Sequence, residues 1–123
     1  MQESDILKEE AKRVFDLDDY RQGKKLTPNE VPVYESKDHR IRLWTVMMGQ
    51  TLPFHKHTDS ECIMIVMGGM GEYRSAENEP LMVDEGMMMV SPPGRSHGIK
   101  NVGNSPLVVL TIEGPGKFDN RLL

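Results

Sequence analysis

The residues of this sequence best suited to chemistry are its histidines, of which there are only four in 123 residues. His55 and His57 stand two positions apart in an extended run, and a strand places such positions on one face of its sheet. Glu61 follows after a tight turn, and His97 comes from a later strand. Imidazole nitrogens and a carboxylate are ligands that divalent first-row metals accept. The spacing therefore predicts one metal site formed by His55, His57, Glu61 and His97.

The glycines and prolines around these four residues resemble the two motifs of the cupin superfamily. The first motif is a Gly, five residues, His-x-His, three or four residues, a Glu, six residues and a Gly; it is matched by Gly49, His55, His57, Glu61 and Gly68. The second is a Gly, five residues, Pro-x-Gly, two residues, a His, three residues and an Asn; it is matched by Gly86, Pro92, Gly94, His97 and Asn101. The resemblance extends from about residue 33 to residue 113.

The resemblance implies an all-β fold, a jelly-roll β-barrel (double-stranded β-helix) with the metal inside. Proteins of this superfamily with this ligand set include dioxygenases, isomerases, decarboxylases and lyases, and also proteins without known activity. The metal would be Mn, Fe, Ni, Cu, Co or Zn, and Glu61 could act as a base as well as a ligand. An enzyme acting on a small oxygen-bearing metabolite is favoured. The alternatives are a module that binds or senses a small ligand or metal, and a stress or storage protein with a structural metal.

Short extended runs separated by turn residues agree with such a barrel. The predicted strands are 33–34, 41–48, 52–57, 61–67, 72–75, 81–83, 87–91, 97–102 and 107–113. Before them, apolar residues at helical spacing predict a short α-helix from Ser4 to Phe15, with Ser4 as N-cap. The chain is thus divided into an N-terminal helix and arm (1–32), a barrel (33–113) and a tail (114–123).

Composition limits the partners. The formal net charge is −4, whereas binding to nucleic acid requires a basic surface. No apolar run is long enough to span a membrane, and the first residues have no signal-peptide character. The lone Cys62 is typical of a reducing compartment. We therefore expect a cytoplasmic protein that binds a small molecule, without nucleic acid or membrane as a partner.

Strand alternation gives an expectation for the strand after Glu61. If Glu61 faces the barrel interior, Ile63, Ile65 and Met67 do so too, and Cys62 and Met64 face outward. The ten methionines are then flexible packing residues rather than thioether ligands for copper. An outward patch that includes Met64 and Val66 would favour a homodimer.

Several further residues have expected roles that the pattern alone does not decide. A cation at the barrel mouth would anchor an acidic substrate, and five side chains could reach that mouth: Arg42, Trp44, Tyr73, Arg74 and Arg95. His39 has no partner at ligand spacing, which indicates a surface position. Asn101 is expected to bond across strands, and Gly49, Gly68 and Gly86 to adopt positive φ at strand ends.

Overall fold

The computed structural model describes residues 13–56, 59–75, 79–116 and 121–122, and these residues form two antiparallel five-stranded sheets. The ten strands are β1 (Asn29–Glu35), β2 (Arg40–Val46), β3 (Thr51–Lys56), β4 (Cys62–Gly68), β5 (Met70–Ser75), β6 (Leu81–Asp84), β7 (Met88–Ser91), β8 (His97–Asn101), β9 (Leu107–Glu113) and β10 (Arg121–Leu122). The predicted all-β jelly-roll architecture is confirmed. Each predicted run corresponds to one of the first nine strands, and β10 was not predicted.

The first sheet has the strand order β1-β2-β9-β4-β7 and the second the order β10-β3-β8-β5-β6. Side chains from both sheets meet in one buried cluster, which includes Val46, Val66 and Val109 of the first sheet and Leu52 and Ile99 of the second. The facing sides of the two sheets therefore enclose the core of the barrel. This sheet-on-sheet packing fixes which residues of each strand face inward.

The expected orientation of β4 is wrong. Cys62, Met64 and Val66 are each 1% exposed and belong to the cluster between the sheets. Ile65 and Met67 instead pack on the outer face of the first sheet, beside Leu110 of β9. The error came from extending strand alternation back to Glu61, although β4 begins only at Cys62. The outward dimer patch inferred from Met64 and Val66 is therefore wrong as well.

The predicted N-terminal α-helix is also corrected where the structure describes it. Residues 13–16 are not helical, and the helical element in the described part of the chain is a 3-10 helix at Leu17–Tyr20. The Asp16 side chain accepts a hydrogen bond from the Asp18 amide and caps this turn. The Phe15 ring lies 6.1 Å from that of Tyr34, so the chain lies along β1 before the turn. Residues 1–12 lie outside the described residues.

Two strands at the sheet edges extend beyond the predicted barrel limits. β1 begins at Asn29 and contains Pro32, which an edge strand tolerates because one side of its backbone has no strand partner. β10 pairs with β3 through Leu122 and His55. The division at 32/33 and 113/114 stays a prediction. No helix in the described residues is long and apolar enough to cross a membrane.

The prediction that Gly49, Gly68 and Gly86 adopt positive φ is confirmed at two of the three positions. Gly49 and Gly86 have φ values of 79° and 91°. Gly68 ends β4 without positive φ, and the neighbouring Gly69 takes that conformation instead, at 84°. A Cβ atom on Gly69 would lie 2.4 Å from the carbonyl oxygen of Pro106. Glycine is therefore required there both by the backbone dihedral and by close packing.

Candidate metal centre

Two of the predicted metal ligands occupy directly opposite positions on neighbouring strands. In the register of β3 and β8, His55 pairs with His97. Directly opposite positions of an antiparallel pair lie on the same face of a sheet, with Cβ atoms about 4.5–5.5 Å apart. His97 precedes Ile99 by two residues on β8, and Ile99 belongs to the buried cluster between the sheets. His97 therefore lies at the interior face of the second sheet, and its backbone is paired with that of His55.

The imidazole of His97 is held in a fixed environment. The residue is 1% exposed, and its Nδ1 lies 3.4 Å from the carbonyl oxygen of Arg95. A backbone carbonyl at this position favours the tautomer with the proton on Nδ1. Nε2 is itself buried. This is the usual outer support of a metal-binding histidine.

The remaining two predicted ligands are described to different extents. Glu61 is partly buried and immediately precedes β4, and its carbonyl oxygen accepts a hydrogen bond from the Gly114 amide. His57 lies outside the described residues. Among the described side chains no three His, Cys, Asp or Glu come together as a cluster. The metal site of His55, His57, Glu61 and His97 therefore stays a prediction, supported by the register and by the environment of His97.

The interior face of the first sheet is polar at one end and apolar at the other. Across β2, β9, β4 and β7, one row of directly paired residues consists of Arg40, Glu113, Cys62 and Ser91. The next row contains Arg42, Thr111, Met64 and Met89, and the last contains Val46 paired with Leu107. Arg40, Ser91 and Glu113 were not among the residues predicted for this lining. The strand register was needed to find them.

A buried ion-pair network occupies the polar end. Glu113 is fully buried and binds Arg42 through one carboxylate oxygen and Arg40 through the other, the latter at 2.6 Å. Arg42 also donates to Glu30 at 2.7 Å. Burial works to lower the pKa of Arg42, but Glu30 and Glu113 outweigh it and raise the pKa overall. The guanidinium of Arg42 also lies 5.3 Å from the centre of the Trp44 ring.

A separate set of hydrogen bonds lies beside His97. The Tyr73 hydroxyl is hydrogen-bonded to Ser91, and the Ser91 hydroxyl donates to the Arg95 carbonyl oxygen at 3.2 Å. The same carbonyl faces Nδ1 of His97. Burial raises the pKa of Tyr73, with a further contribution from Cys62 and an opposing one from Ser91. At neutral pH the tyrosine is therefore a neutral phenol.

The structure also shows which of the five side chains considered for the barrel mouth face the interior and which are exposed. Arg42 and Tyr73 are buried and face the interior, and Trp44 packs against the same core. Arg74 is exposed and bonded to Glu72, while Arg95 lies in an exposed turn. The expected surface position of His39 is confirmed. Asn101 has the expected structural role, since its Nδ2 donates to the carbonyl oxygens of Val46 and Ser105 at 2.8 and 2.9 Å.

A separate groove of about 590 Å³ lies on the outer face of the first sheet. Its walls are mainly apolar and include Phe15, Leu17, Val33, Tyr34, Ile41 and Leu110. The sheet separates this groove from the interior row of Arg40, Glu113 and Cys62, because alternate residues of each strand face opposite sides. The groove is therefore not part of the candidate metal centre.

Comparisons with known proteins agree with this architecture. Residues 42–113 match the family model described as a cupin domain. The uncharacterized protein MJ1618 of Methanocaldococcus jannaschii is 32% identical over 90 residues, which are 73% of this chain and 69% of that protein. A Klebsiella pneumoniae protein with a double-stranded β-helix domain is 25% identical and has a TM-score of 0.84, covering 89% of this chain and 96% of its own. An RmlC-like cupin protein from Desulfovibrio desulfuricans, also 25% identical, has a TM-score of 0.70 and covers 77% and 89%. The chain belongs to the cupin family.

Proposed function

We propose that this cupin is a metal-dependent enzyme that acts on a small oxygen-bearing molecule. The observation that carries the proposal is the pairing of His55 with His97 on β3 and β8, together with the carbonyl oxygen that faces Nδ1 of His97. His57 and Glu61 would complete the ligand set. Three neutral imidazoles and one carboxylate fit a divalent transition metal and leave one positive charge uncompensated.

Each part of the proposed site has a defined task. A bound metal would supply Lewis acidity, or redox chemistry if it is iron, manganese, copper or nickel. The Arg95 carbonyl faces Nδ1 of His97 and would orient the ring, so that Nε2 would be the metal-binding nitrogen. Glu61, immediately before β4, would act as a ligand and as a base. The apolar cluster that includes Val46, Val66 and Leu107 would exclude water from the far end of the interior.

Metal analysis of purified protein tests the site. Wild-type protein is expected to hold about one divalent metal per chain, since one set of four donors binds one ion. His97→Ala and His55→Ala should each lose most of it. His39→Ala is the matched control, because His39 is exposed and is not one of the predicted ligands. Full occupancy in both ligand variants would contradict the assignment.

Cobalt substitution distinguishes a catalytic from a structural metal. An open site gives the weak visible absorption of five- or six-coordinate Co²⁺, and this absorption should change when azide is added. Strong tetrahedral absorption that azide does not alter would instead favour the structural role of a storage protein. A binding or sensing module would bind azide reversibly but show no turnover with any oxygenated substrate.

We further propose that the protein is a homodimer and that it is cytoplasmic. Val90 and Met88 are 48% and 61% exposed on the edge strand β7. An apolar edge strand favours association with another chain. Sedimentation velocity at micromolar concentration tests the dimer, and a monomer would contradict it. The cytoplasmic assignment rests on the reduced state expected of Cys62.

A further inference from the structure

The outer face of the first sheet carries apolar residues across all five of its strands. One row of directly paired positions on β1, β2, β9, β4 and β7 consists of Tyr34, Ile41, Ile112, Ile63 and Val90. The row beside it consists of Val31, Leu43, Leu110, Ile65 and Met88. All ten side chains are uncharged. An antiparallel sheet whose outer face is solvated commonly alternates between apolar and polar residues, and these two rows do not.

The outer face of the second sheet shows what a solvated face of this barrel contains. A row of paired positions across β6, β5, β8 and β3 consists of Met82, Glu72, Lys100 and Thr51. Glu72 also forms an ion pair with Arg74 on the same strand at 2.6 Å. The two sheets of one barrel thus differ in the chemistry of their outer faces. Only the first has the uncharged apolar surface that is typical of a protein interface.

The chain covers one side of this apolar face and leaves the other side open. Leu17 and Tyr20 pack against the cluster that contains Leu43, which is 1% exposed. At the opposite edge, Val90 and Met88 of β7 are 48% and 61% exposed. The groove of about 590 Å³ lies on the covered side, with walls from the chain before β1 and from β1, β2 and β9. The face therefore has exposed apolar side chains at one edge and an apolar recess near the other.

A second copy of this chain satisfies both edges at once. A two-fold interface uses the same surface on both chains, so that surface must be complementary to itself. An uncharged face brings no like charges together when it meets its own copy. The middle strand of the sheet is β9. A two-fold axis that runs along β9 places the exposed edge at β7 of each chain over the recess at β1 and β2 of the other.

The size of the face also suits a dimer. Five strands at a spacing of about 4.8 Å span about 24 Å, and the seven residues of β4 or β9 at about 3.3 Å each span about 23 Å. The flat face therefore measures about 550 Å², and the relief of the side chains adds to its accessible area. Stable interfaces bury about 600–1,000 Å² per chain. The face, with the segment 13–20 that lies on it, is of the size that a small stable dimer requires.

We propose that the outer face of the first sheet packs against the same face of a second copy of this chain, with Val90 of each chain over the groove of the other. The inference rests on the homodimer proposed above and names its surface, and it does not depend on the metal. It differs from pairing of two β7 edges, which would join the sheets through backbone hydrogen bonds and leave both grooves open.

Cross-linking between introduced cysteines tests this arrangement. Tyr34 and Val90 belong to the same row and are each 48% exposed, and within one chain four strand spacings of about 4.8 Å separate them. A short bis-maleimide that spans about 10 Å, the distance between stacked sheets, therefore joins them only between chains. The native Cys62 is buried, which shields it from the reagent.

The double variant Tyr34→Cys with Val90→Cys is compared with each single variant and with a matched control. The control is Tyr34→Cys with Met82→Cys, because Met82 is 54% exposed on β6, the edge strand of the other sheet. The double variant should give a covalent dimer in at least tenfold greater yield than the single variants or the control. An equal yield from Val90→Cys alone would show that two β7 edges meet, and would overturn the inference. An equal yield from the control, or no covalent dimer of the double variant, would overturn it as well.

A charge placed on the face provides a second measurement. Val90→Glu should raise the dimer Kd from sedimentation equilibrium at least tenfold, because each dimer would bury two carboxylates. Met82→Glu should leave the Kd unchanged, since it adds the same charge to the outer face of the second sheet. Unfolding curves show whether each variant is folded.

The outcomes separate this inference from the proposals above. A monomeric wild type would overturn the homodimer and this inference together, and would leave the face to the residues before Arg13 of the same chain or to a different protein. A wild-type dimer that Val90→Glu does not weaken, or that Met82→Glu weakens equally, would overturn this inference alone. Metal content is measured in every sample, so the proposed metal site is tested separately.

Discussion

The buried thiol of Cys62 predicts how the stability of the barrel depends on alkaline pH. Burial raises the pKa of Cys62 from 9.0 to about 12, and the nearby carboxylate of Glu113 contributes further. Above pH 9 the unfolded chain releases a thiol proton that the folded chain retains. The stabilisation from this group is therefore complete below pH 9 and is lost as the pH rises to about 12. This difference between the thiol pKa values of the unfolded and folded chains corresponds to about 4 kcal/mol in the free energy of unfolding.

Urea unfolding of wild type and Cys62→Ala at pH 8 and pH 10.5 measures this contribution. The higher pH, 10.5, lies 1.5 pH units above the thiol pKa of 9.0 in the unfolded chain. At about 1.4 kcal/mol per pH unit, titration of the thiol lowers the free energy of unfolding by about 2 kcal/mol. Wild type should therefore lose about 2 kcal/mol more than the variant. Tyrosines and lysines titrate in both proteins, so the difference isolates the thiol. Equal losses would refute the environment assigned to Cys62.

Two further pairs of substitutions test the packing of the barrel. Met64→Ala should lower the free energy of unfolding by about 2–5 kcal/mol because it leaves a cavity between the sheets. Met88→Ala, on the exposed side of β7, should change it by less than about 0.5 kcal/mol. Equal effects of the two variants in thermal or urea unfolding would contradict the orientation of β4. Gly69→Ala should cost at least about 1 kcal/mol more than Gly49→Ala, since both glycines have positive φ but only Gly69 is crowded by a backbone carbonyl. Similar midpoints for the two glycine variants would argue against the close approach.

Most of the fold could be predicted because its signals are local. Turn residues separate every strand, and the predicted bounds of β9 agree with the structure. The spacing of Gly86, Pro92 and Gly94 relative to His97 and Asn101 indicated the family from the sequence. Asn101 was assigned correctly because an amide side chain at a strand end needs backbone partners, and it finds them on two other segments.

The orientation of β4 could not be predicted because it depends on where the strand begins. Alternation counted from Glu61 gives the opposite face from alternation counted from Cys62, and a one-residue difference moves every side chain to the other side. The same limit applies to the interior row of Arg40, Glu113 and Ser91. Its members come from three separate strands, and Arg40 and Glu113 form their ion pair only when the sheet register brings them together.

The N-terminal helix was mispredicted where it can be compared, because spacing of apolar residues was given more weight than tertiary contacts. Phe15 has helical spacing from Ala11, but in the structure its ring contacts Tyr34 of β1. Asp16 then caps a short 3-10 turn instead of continuing a helix. Tertiary packing thus overrides local periodicity at this position.

The metal site is tested most directly by crystals of the metal-containing protein, measured at the absorption edge of the metal found by elemental analysis. The account predicts one anomalous peak inside the barrel, about 2.0–2.2 Å from nitrogen atoms of His55, His57 and His97 and from a carboxylate oxygen of Glu61. A peak bound only by other residues, or imidazoles of His55 and His97 that share no common ion, would contradict it.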